Sequence, residues 1–294
     1  MFGSAWHAAG LIPNFIGSLN MAKVHDYGVK LYARLEQETG QATGWHGCGA
    51  LRLAVTDAEV DWFHYVKGIL DYIDAESYLV GHSEMKEIHP LIVTDDVKLG
   101  FYTPNDGHTD PASSTNSMAV GARNRGVEII RRNRVIGVER TSGGEWKVIT
   151  QRGTIVCEHI VNAAGSFSDQ VAQMSGFRLP IVNMQHQYLV TENLPEIKAL
   201  DKEPPVVRDP VASCYIRQEQ KGILVGPYET SQAAAWGLDG IDWSFDMELL
   251  PENLDRLNDS LLLAAERVPL FGQAGIKRVV NLSLIHISEP TRPY

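Results

Sequence analysis

Residues 113–165 constrain the fold more than any other part of the sequence. Apolar residues at helical spacing run to Gly126, and short alternating segments then predict two strands, a hairpin and two further strands. Residues 160–161 would form the last of these, a short buried strand that ends at the small residues 162–165. A helix followed by a β-meander and a return to a buried strand with a glycine turn is typical of an α/β nucleotide-binding domain from its middle onward.

Periodic segments on both sides of this region predict further helices and a mixed sheet. The predicted helices are 23–39, 58–73 and 249–269, the last entered through Pro251. The predicted strands are 49–56, 183–192, 212–229 and 276–281. In the first helix the apolar face comprises Val24, Tyr27, Leu31 and Leu35, and Gly40 follows as a stop signal.

Composition excludes several classes of protein. The chain has 294 residues, of which 44% are apolar, so it can bury a core of one large or two modest domains. A formal net charge of −10 argues against a nucleic-acid partner, since phosphate backbones are bound by clustered Lys and Arg. No apolar run reaches the length of a membrane span, and the N-terminus does not have the pattern of a secretory signal.

Cysteine and histidine spacing predicts neither a disulfide framework nor a metal site. The 3 cysteines are far apart, which favours a reducing compartment, the cytoplasm or, in a eukaryote, the mitochondrial matrix. His82 with Glu84, and His108 with Asp110, lie two residues apart without a third ligand nearby. The remaining histidines expected in ordinary surface or core positions include His25, His46 and His89.

The segment Gly3 to Leu11, GSAWHAAGL, is the most informative motif. Its small residues leave backbone room for a ligand, and Trp6 and His7 offer an aromatic face and a nucleophilic imidazole. Taken alone, such a histidine is more often a hydrogen-bonded loop residue. The motif is similar, however, to the segment of dimethylglycine and sarcosine dehydrogenases whose histidine is joined to FAD. Further segments resemble this family in order and spacing: ETGQ (38–41), DGHTDP (106–111), VNAAG (161–165), QHQY (185–188) and GPYE (226–229).

The resemblance implies an α/β FAD-binding domain interleaved with a mixed-sheet substrate domain, of the D-amino-acid oxidase type, and FAD bound covalently at His7. The other cofactor-binding residues that it implies are Gly3, Ser4, Trp6, Ala8, Ala9, Gly10, Leu11, Val135, Ala164, Gly165 and Phe167. The strand residue Val135 would reach the adenine through its backbone. The NAAG turn would approach the cofactor, although a tight packing turn explains it equally well. Phe167 stands where relatives often have Trp, which removes an indole donor.

The resemblance also implies a site for a carboxylated methylamine. Such a substrate needs a cation or hydroxyl donors for its carboxylate and an apolar or aromatic wall around its methyl groups. His186 and Tyr215 match positions that shape the amine site in related oxidases, and Arg217 and Tyr228 are candidate donors. Because Tyr215 and Arg217 lie two apart in a strand, an exposed pair on one face remains an alternative.

The implied reaction is oxidation of the N-methyl C–H bond of dimethylglycine or sarcosine, with hydride transfer to flavin. The resulting iminium is hydrolysed by water or captured by tetrahydrofolate, whose module often follows in longer relatives. An electron-transferring flavoprotein or oxygen would reoxidise the flavin. Two alternatives stay open: a regulatory protein resembling the regulatory subunit of pyruvate dehydrogenase phosphatase, and an inactive truncation.

The sequence lacks the G-x-G-x-x-G fingerprint that grips the FAD pyrophosphate. We therefore expect an internal fragment that binds FAD poorly by itself. The expected division is FAD-binding domain in 1–48 and 99–176, substrate domain in 49–98 and 177–281, and a tail in 282–294. That tail, LSLIHISEPTRPY, resembles a translated sequencing adapter, so we expect it to be detached from the core.

Overall fold

A mixed nine-stranded sheet organises the fold. The computed structural model describes residues 4–229 and 234–287, with side chains for 6–229 and 234–282. In chain order the strands are β1 (Leu11–Ile12), β2 (Ala50–Ala54), β3 (Tyr78–Val80), β4 (Leu99–Thr103), β5 (Gly107–His108), β6 (Val135–Arg140), β7 (Trp146–Thr150), β8 (Gly153–Cys157), β9 (Ile181–Thr191), β10 (Val206–Asp209), β11 (Cys214–Glu219), β12 (Gly222–Pro227), β13 (Ala235–Trp236) and β14 (Ile276–Ile287). The helices are α1 (Leu19–Thr39), α2 (Asp57–Tyr72), α3 (His82–Ile88), α4 (Pro111–Asn124), α5 (Ser168–Gln173), α6 (Pro195–Lys198), α7 (Asn258–Arg267) and α8 (Pro269–Gly272), and the 3-10 helices are Ser4–His7, Gly165–Phe167 and Leu254–Leu257.

The large sheet has the order β13-β9-β12-β11-β10-β2-β4-β3, with β14 paired along β9. Its pairs are antiparallel except β10 with β2, which run parallel from the pairing of Val206 with Ala50. Two smaller sheets accompany it, β1 with β5 and β6-β7-β8. The mixed sheet and its covering helices agree with the predicted fold class, while the division of the chain into domains stays a prediction.

Strand alternation separates the two faces of the large sheet. One face carries the main apolar cluster, which includes Leu51, Leu189, Val207, Ile216 and Val225, and helices α3, α6, α7 and α8 pack against it. Because successive side chains point to opposite faces, the intervening residues face the other way. There the sheet carries a second cluster around Tyr188, Tyr215 and Leu224, together with Ala9 and Leu11 from the N-terminal segment. The opposite face therefore meets the segment that contains His7.

Helix α1 confirms the first predicted helix but buries a different face. Its buried residues are Ala22, Val29 and Leu35. Val24 and Tyr27, which the spacing predicts to be buried, are each 59% exposed. The reason is tertiary, because α1 packs against α4 and places Ala22 in the aromatic cluster around Phe15.

The helix predicted over 249–269 begins later than Pro251. A 3-10 turn covers Leu254–Leu257, and α7 follows from Asn258. The Gln187 amide in β9 occupies both backbone groups of Asn253, donating to its carbonyl oxygen at 2.8 Å and accepting from its N–H at 2.7 Å. Backbone groups held by the sheet in this way are not available to a helix.

The buried strand predicted at residues 160–161 is absent from the structure. Val161 is 88% exposed. A buried strand needs paired backbone on both sides and cover on both faces. The described residues place no strand beside residues 160–161, so the prediction of a buried strand there is wrong.

The segment from Leu282 to Ile287 is not detached, contrary to expectation. It continues β14, pairs with β9 as far as Ile287 with Ile181, and leaves Leu282 only 5% exposed. Residues 288–294 lie outside the described residues. Ladder hydrogen bonds use backbone groups that all non-proline residues share, so the pairing does not test where the tail sequence came from.

His89 makes the stability of the fold depend on pH. It is 4% exposed at the end of α3, its Nδ1 has no partner among the described residues, and burial lowers its pKa from 6.5 to about 4. We expect the free energy of unfolding to fall by up to about 3 kcal/mol as the pH drops from 6.5 to 4, because only the unfolded chain takes up the proton readily. Urea denaturation at several pH values measures this.

His89→Asn should flatten this pH dependence, since the titrating group is gone. His82→Asn is the matched control, because His82 is an exposed histidine at the start of the same helix. An unchanged slope in His89→Asn would assign the pH dependence to other groups.

Candidate functional site

The N-terminal segment is held against the sheet by main-chain contacts. The hydroxyl of Tyr188 in β9 donates to the carbonyl oxygen of His7 at 2.9 Å. Arg217 in β11 donates from Nε to the carbonyl oxygen of Ala9 at 3.2 Å. The indole of Trp6 stacks on the imidazole of His7 with ring centroids 4.2 Å apart and planes within 9°. Gly3 and the side chain of Ser4 lie outside the described residues.

Gly10 allows close packing of the chain on the side where a side chain would stand. It has a φ of +73°, and a Cβ there would lie 2.1 Å from the carbonyl oxygen of Thr109. Next to it, β1 pairs with β5 through Leu11 and His108. The predicted backbone room at this position is therefore filled by the loop that precedes α4.

Beside Trp6 and His7 lies a cavity of about 510 Å³. Its walls include Ala8, Tyr188 and Arg217. His7 is only 9% exposed. Among the described residues, the buried indole N–H of Trp6 has no hydrogen-bond acceptor. A bound molecule that offers an acceptor would remove this unfavourable state.

An aromatic cluster, formed by His186, Tyr215 and Tyr228, lies on the same face of the sheet. The His186 Nε2 and Tyr215 hydroxyl are 3.1 Å apart. The Tyr228 ring stacks on His186 at 5.3 Å and meets Tyr215 edge-on at 5.6 Å. Burial raises the pKa of Tyr215 far above its usual range, so its hydroxyl stays protonated at neutral pH.

Gly226 makes room for the Tyr215 ring. The two residues pair across β11 and β12. A Cβ on Gly226 would lie 2.0 Å from Cζ of Tyr215, because the tyrosine ring lies directly over the glycine. The absence of a side chain at Gly226 therefore sets the position of the Tyr215 hydroxyl.

Two arginines extend this cluster, and the sequence analysis missed both. Arg208 pairs with Arg52 across β10 and β2, and with Tyr215 across β11. Its guanidinium lies 5.1 Å from the Tyr215 ring centroid and 5.0 Å from that of Tyr228, whose hydroxyl accepts its hydrogen bond. These residues come together only through the register of β10 and β11 with β2, which lies far away in the sequence.

The two guanidinium groups have no carboxylate ion-pair partner among the described side chains, although Asp106 is close enough to act on Arg52 through space. The Arg52 guanidinium lies 4.2 Å from the Phe15 ring centroid. Burial, together with the charge of Arg208, lowers the pKa of Arg52 to about 9. Neighbouring positive charges in a partly buried setting favour the binding of an anion.

Arg217 belongs to the His7 cavity rather than to the aromatic cluster. It is 7% exposed and forms an ion pair with Glu219 at 2.7 Å. It also donates a hydrogen bond to the carbonyl oxygen of Ala9. Tyr215 is 3% exposed. The alternative of an exposed Tyr215–Arg217 pair is therefore wrong.

The remaining predicted cofactor residues lie in another part of the fold. Val135 begins β6 and pairs with Thr150. Gly165 has a φ of +58° with open space where a Cβ would stand, so a ligand can approach its backbone. Phe167 stacks on Trp243 with centroids 5.2 Å apart. Ala164 precedes this 3-10 turn.

His46, His108 and Glu203 come together although the sequence analysis assigned them no shared role. Glu203 Oε2 lies 2.6 Å from His46 Nδ1, and Oε1 lies 2.6 Å from His108 Nε2. Burial lowers the pKa of His108, against the raising effect of Glu203. A separation of 95 residues between His108 and Glu203 explains why spacing gave no signal.

Residues 1–276 match the family described as "FAD dependent oxidoreductase", DAO. The chain belongs to this family. It is 41% identical over 283 residues to mitochondrial dimethylglycine dehydrogenase of Rattus norvegicus, covering 95% of this chain and 33% of that protein. It is 31% identical to mitochondrial sarcosine dehydrogenase of Homo sapiens, and the match covers 95% of this chain and 30% of that protein. A mitochondrial pyruvate dehydrogenase phosphatase regulatory subunit of Mus musculus is 28% identical, and the match covers 95% of this chain and 32% of that protein.

Solved structures confirm the fold. The structure of L-proline dehydrogenase from P. horikoshii superposes with a TM-score of 0.81 at 22% identity, covering 98% of this chain and 72% of that one. The family resemblance and the D-amino-acid oxidase fold inferred from the motifs are thus confirmed. The chain spans about a third of the length of the curated relatives named above. Across the part that the structure describes, no helix is long and apolar enough to cross a membrane.

The residues present fit a flavin. The cavity beside His7 offers an imidazole, an indole face and an indole N–H that finds no acceptor in the described part of the chain. Gly165 adds a backbone that a ligand can approach without a side chain in the way. Stacked rings and exposed main-chain groups are the features by which proteins hold flat, polar-edged cofactors.

Proposed function

We propose that the protein oxidises the N-methyl group of a small methylated glycine, dimethylglycine or sarcosine, with FAD as cofactor. The observation that carries the proposal is the aromatic cluster of His186, Tyr215 and Tyr228 next to the Arg52–Arg208 pair. This combination suits a molecule with a carboxylate at one end and a methylated amine at the other. The similarity to dimethylglycine and sarcosine dehydrogenases supports the same substrate class.

His7 is the residue proposed to carry FAD covalently. Trp6 would lie against its rings, Gly3 to Leu11 would pass along one side, and Val135, Ala164, Gly165 and Phe167 would line the nucleotide. When bound, FAD accepts a hydride from the substrate. The protein keeps His7 in place through Tyr188, which holds its carbonyl oxygen, and through the stacked indole of Trp6.

Arg208 and Arg52 are proposed to bind the substrate carboxylate. A carboxylate between them would supply the anion that the two guanidinium groups lack, and charge-assisted hydrogen bonds of this kind are about twice as strong as neutral ones. Arg217 is the weaker candidate, since Glu219 already neutralises it. Tyr228 would position Arg208 through its hydroxyl, which accepts from the guanidinium.

Tyr215 and His186 are proposed to orient the amine and keep it neutral. The raised pKa of Tyr215 keeps its hydroxyl a donor at neutral pH. His186 can accept a proton at Nε2 or share one with Tyr215 across 3.1 Å. A neutral amine releases hydride far more readily than an ammonium ion, because its lone pair stabilises the developing positive charge. The aromatic walls limit access of water to this charge.

Further steps would depend on partners outside this chain. We propose an electron-transferring flavoprotein or oxygen as the final electron acceptor, and tetrahydrofolate as an optional acceptor of the released one-carbon unit. Since the dimethylglycine and sarcosine dehydrogenases of mammals named above are mitochondrial, a eukaryotic version of this protein would act in the matrix.

Anaerobic stopped-flow reduction of the flavin-loaded protein tests the proposal. Dimethylglycine or sarcosine should bleach the flavin spectrum, whereas a non-catalytic regulatory protein would leave it oxidised. Such a result would favour the regulatory alternative, which the 28% identity to a phosphatase regulatory subunit keeps open.

Tyr215→Phe should slow flavin reduction roughly 2- to 12-fold, because a hydrogen bond between the hydroxyl and the neutral amine contributes about 0.5 to 1.5 kcal/mol. Tyr72→Phe is the control, because Tyr72 is 74% exposed. Its flavin should be reduced at the same rate as in the unaltered protein. Normal rates in both Tyr215→Phe and His186→Ala would remove these residues from the substrate site.

A further inference from the structure

Two histidines face each other across an isolated β-bridge near the His7 cavity. The backbones of His46 and His108 exchange both hydrogen bonds, at 2.8 and 3.1 Å. Side chains of directly opposed residues lie on the same face of such a pair. Accordingly, the two imidazole rings stack with centroids 4.7 Å apart and planes within 13°. The bridge therefore fixes two ring nitrogens side by side.

Glu203 completes the cluster from a distant loop. Each of its carboxylate oxygens lies 2.6 Å from one ring nitrogen, Nδ1 of His46 or Nε2 of His108. The three potential ligand atoms lie within 4.8 Å of one another. Glu203 is partly buried, and His108 is 6% exposed, so two of the three groups are held by the surrounding protein.

We propose that His46, His108 and Glu203 bind a divalent transition-metal ion of the zinc type. Two imidazoles and one carboxylate are the ligand set of zinc sites that keep an open coordination position. Two atoms bound to one tetrahedral zinc ion at about 2.0 to 2.2 Å lie roughly 3.4 Å apart. The present N···O distances of 2.6 Å are shorter than this, so the carboxylate moves aside to admit the ion. The ring protons that face Glu203 shift to the other ring nitrogens or to solvent, and each facing nitrogen then offers its lone pair.

The position of the cluster favours an open site over a closed structural one. Both His46 and Glu203 line two cavities, one of about 430 Å³ and the His7 cavity of about 510 Å³. A metal ion held in this shared wall would present its free coordination position to water or to a small anionic ligand. His82 with Glu84 has the short spacing of a candidate pair but has no third ligand among the described residues.

Zinc titration of the chelator-treated chain by isothermal calorimetry tests this proposal without reference to flavin or turnover. We expect one Zn²⁺ per chain, and we expect Co²⁺ to give visible absorption bands of a low-symmetry site. His46→Ala and Glu203→Gln should each weaken binding at least about tenfold. Since His46 is half-exposed, its replacement should leave the fold intact, and circular dichroism checks this.

His82→Ala is the matched control, because His82 is an exposed histidine followed two residues later by Glu84. It should bind Zn²⁺ like the unaltered chain. The proposal is wrong if no stoichiometric binding occurs, or if His46→Ala and Glu203→Gln bind as tightly as His82→Ala. Equal weakening in all three variants would also overturn it, since binding would then be spread over surface histidines.

Discussion

Replacing His7 with alanine is expected to abolish covalent attachment of flavin entirely. The adduct forms only when the imidazole and the reactive carbon of the cofactor are held in a near-attack arrangement. Tyr188 fixes the carbonyl oxygen of His7 at 2.9 Å and Trp6 stacks on its ring at 4.2 Å, so the imidazole is already held in place for such an arrangement.

Flavin fluorescence in a denaturing gel measures this effect directly. The flavin-loaded protein should keep its fluorescence with the polypeptide, and His7→Ala should lose it. His64→Ala is the control, because His64 is an exposed histidine of α2 and should leave the covalent flavin in place. Flavin fluorescence that stays with the polypeptide in His7→Ala, or that is lost equally in His64→Ala, would refute the assignment.

Removing the charge of Arg208 is expected to raise the KM for dimethylglycine roughly 10- to 150-fold. Arg208→Met keeps the length of the side chain but removes the proposed carboxylate contact, which as a charge-assisted hydrogen bond contributes about 1.5 to 3 kcal/mol. If this contact stabilises the bound substrate and the transition state by the same amount, its loss changes kcat little. Steady-state kinetics with dimethylglycine separates these two constants.

Arg208→Lys should recover part of the loss, because an ammonium group restores the charge without the planar fork of the guanidinium. Arg152→Met, a change at an exposed arginine in the turn between β7 and β8, is the matched control. A tertiary amine without a carboxylate should be oxidised equally well by Arg208→Met and by the unaltered protein. A rise in KM for that amine as large as for dimethylglycine would assign Arg208 a structural role instead.

The sequence alone determined the family, the class of fold and much of the local structure. Motifs from GSAWHAAGL to GPYE predicted a flavin-binding fold of the D-amino-acid oxidase type, which the family match and the solved structures confirm. Helical spacing and the Gly40 stop signal predicted α1, and the strands predicted at 49–56, 183–192 and 276–281 overlap β2, β9 and β14. These features follow from short-range periodicity and backbone preferences, which a sequence displays directly.

Only the tertiary structure decided which residues meet. Arg52, Arg208 and Tyr215 share one row because β2, β10 and β11 pair in a particular register, and a shift of one residue would turn all three to the other face. His46, His108 and Glu203 meet through a bridge and a distant loop. The buried face of α1 and the late start of α7 were likewise set by packing partners. Contacts between residues far apart in the chain leave no periodic signal, so the composition of each site becomes visible only when the sheet is assembled.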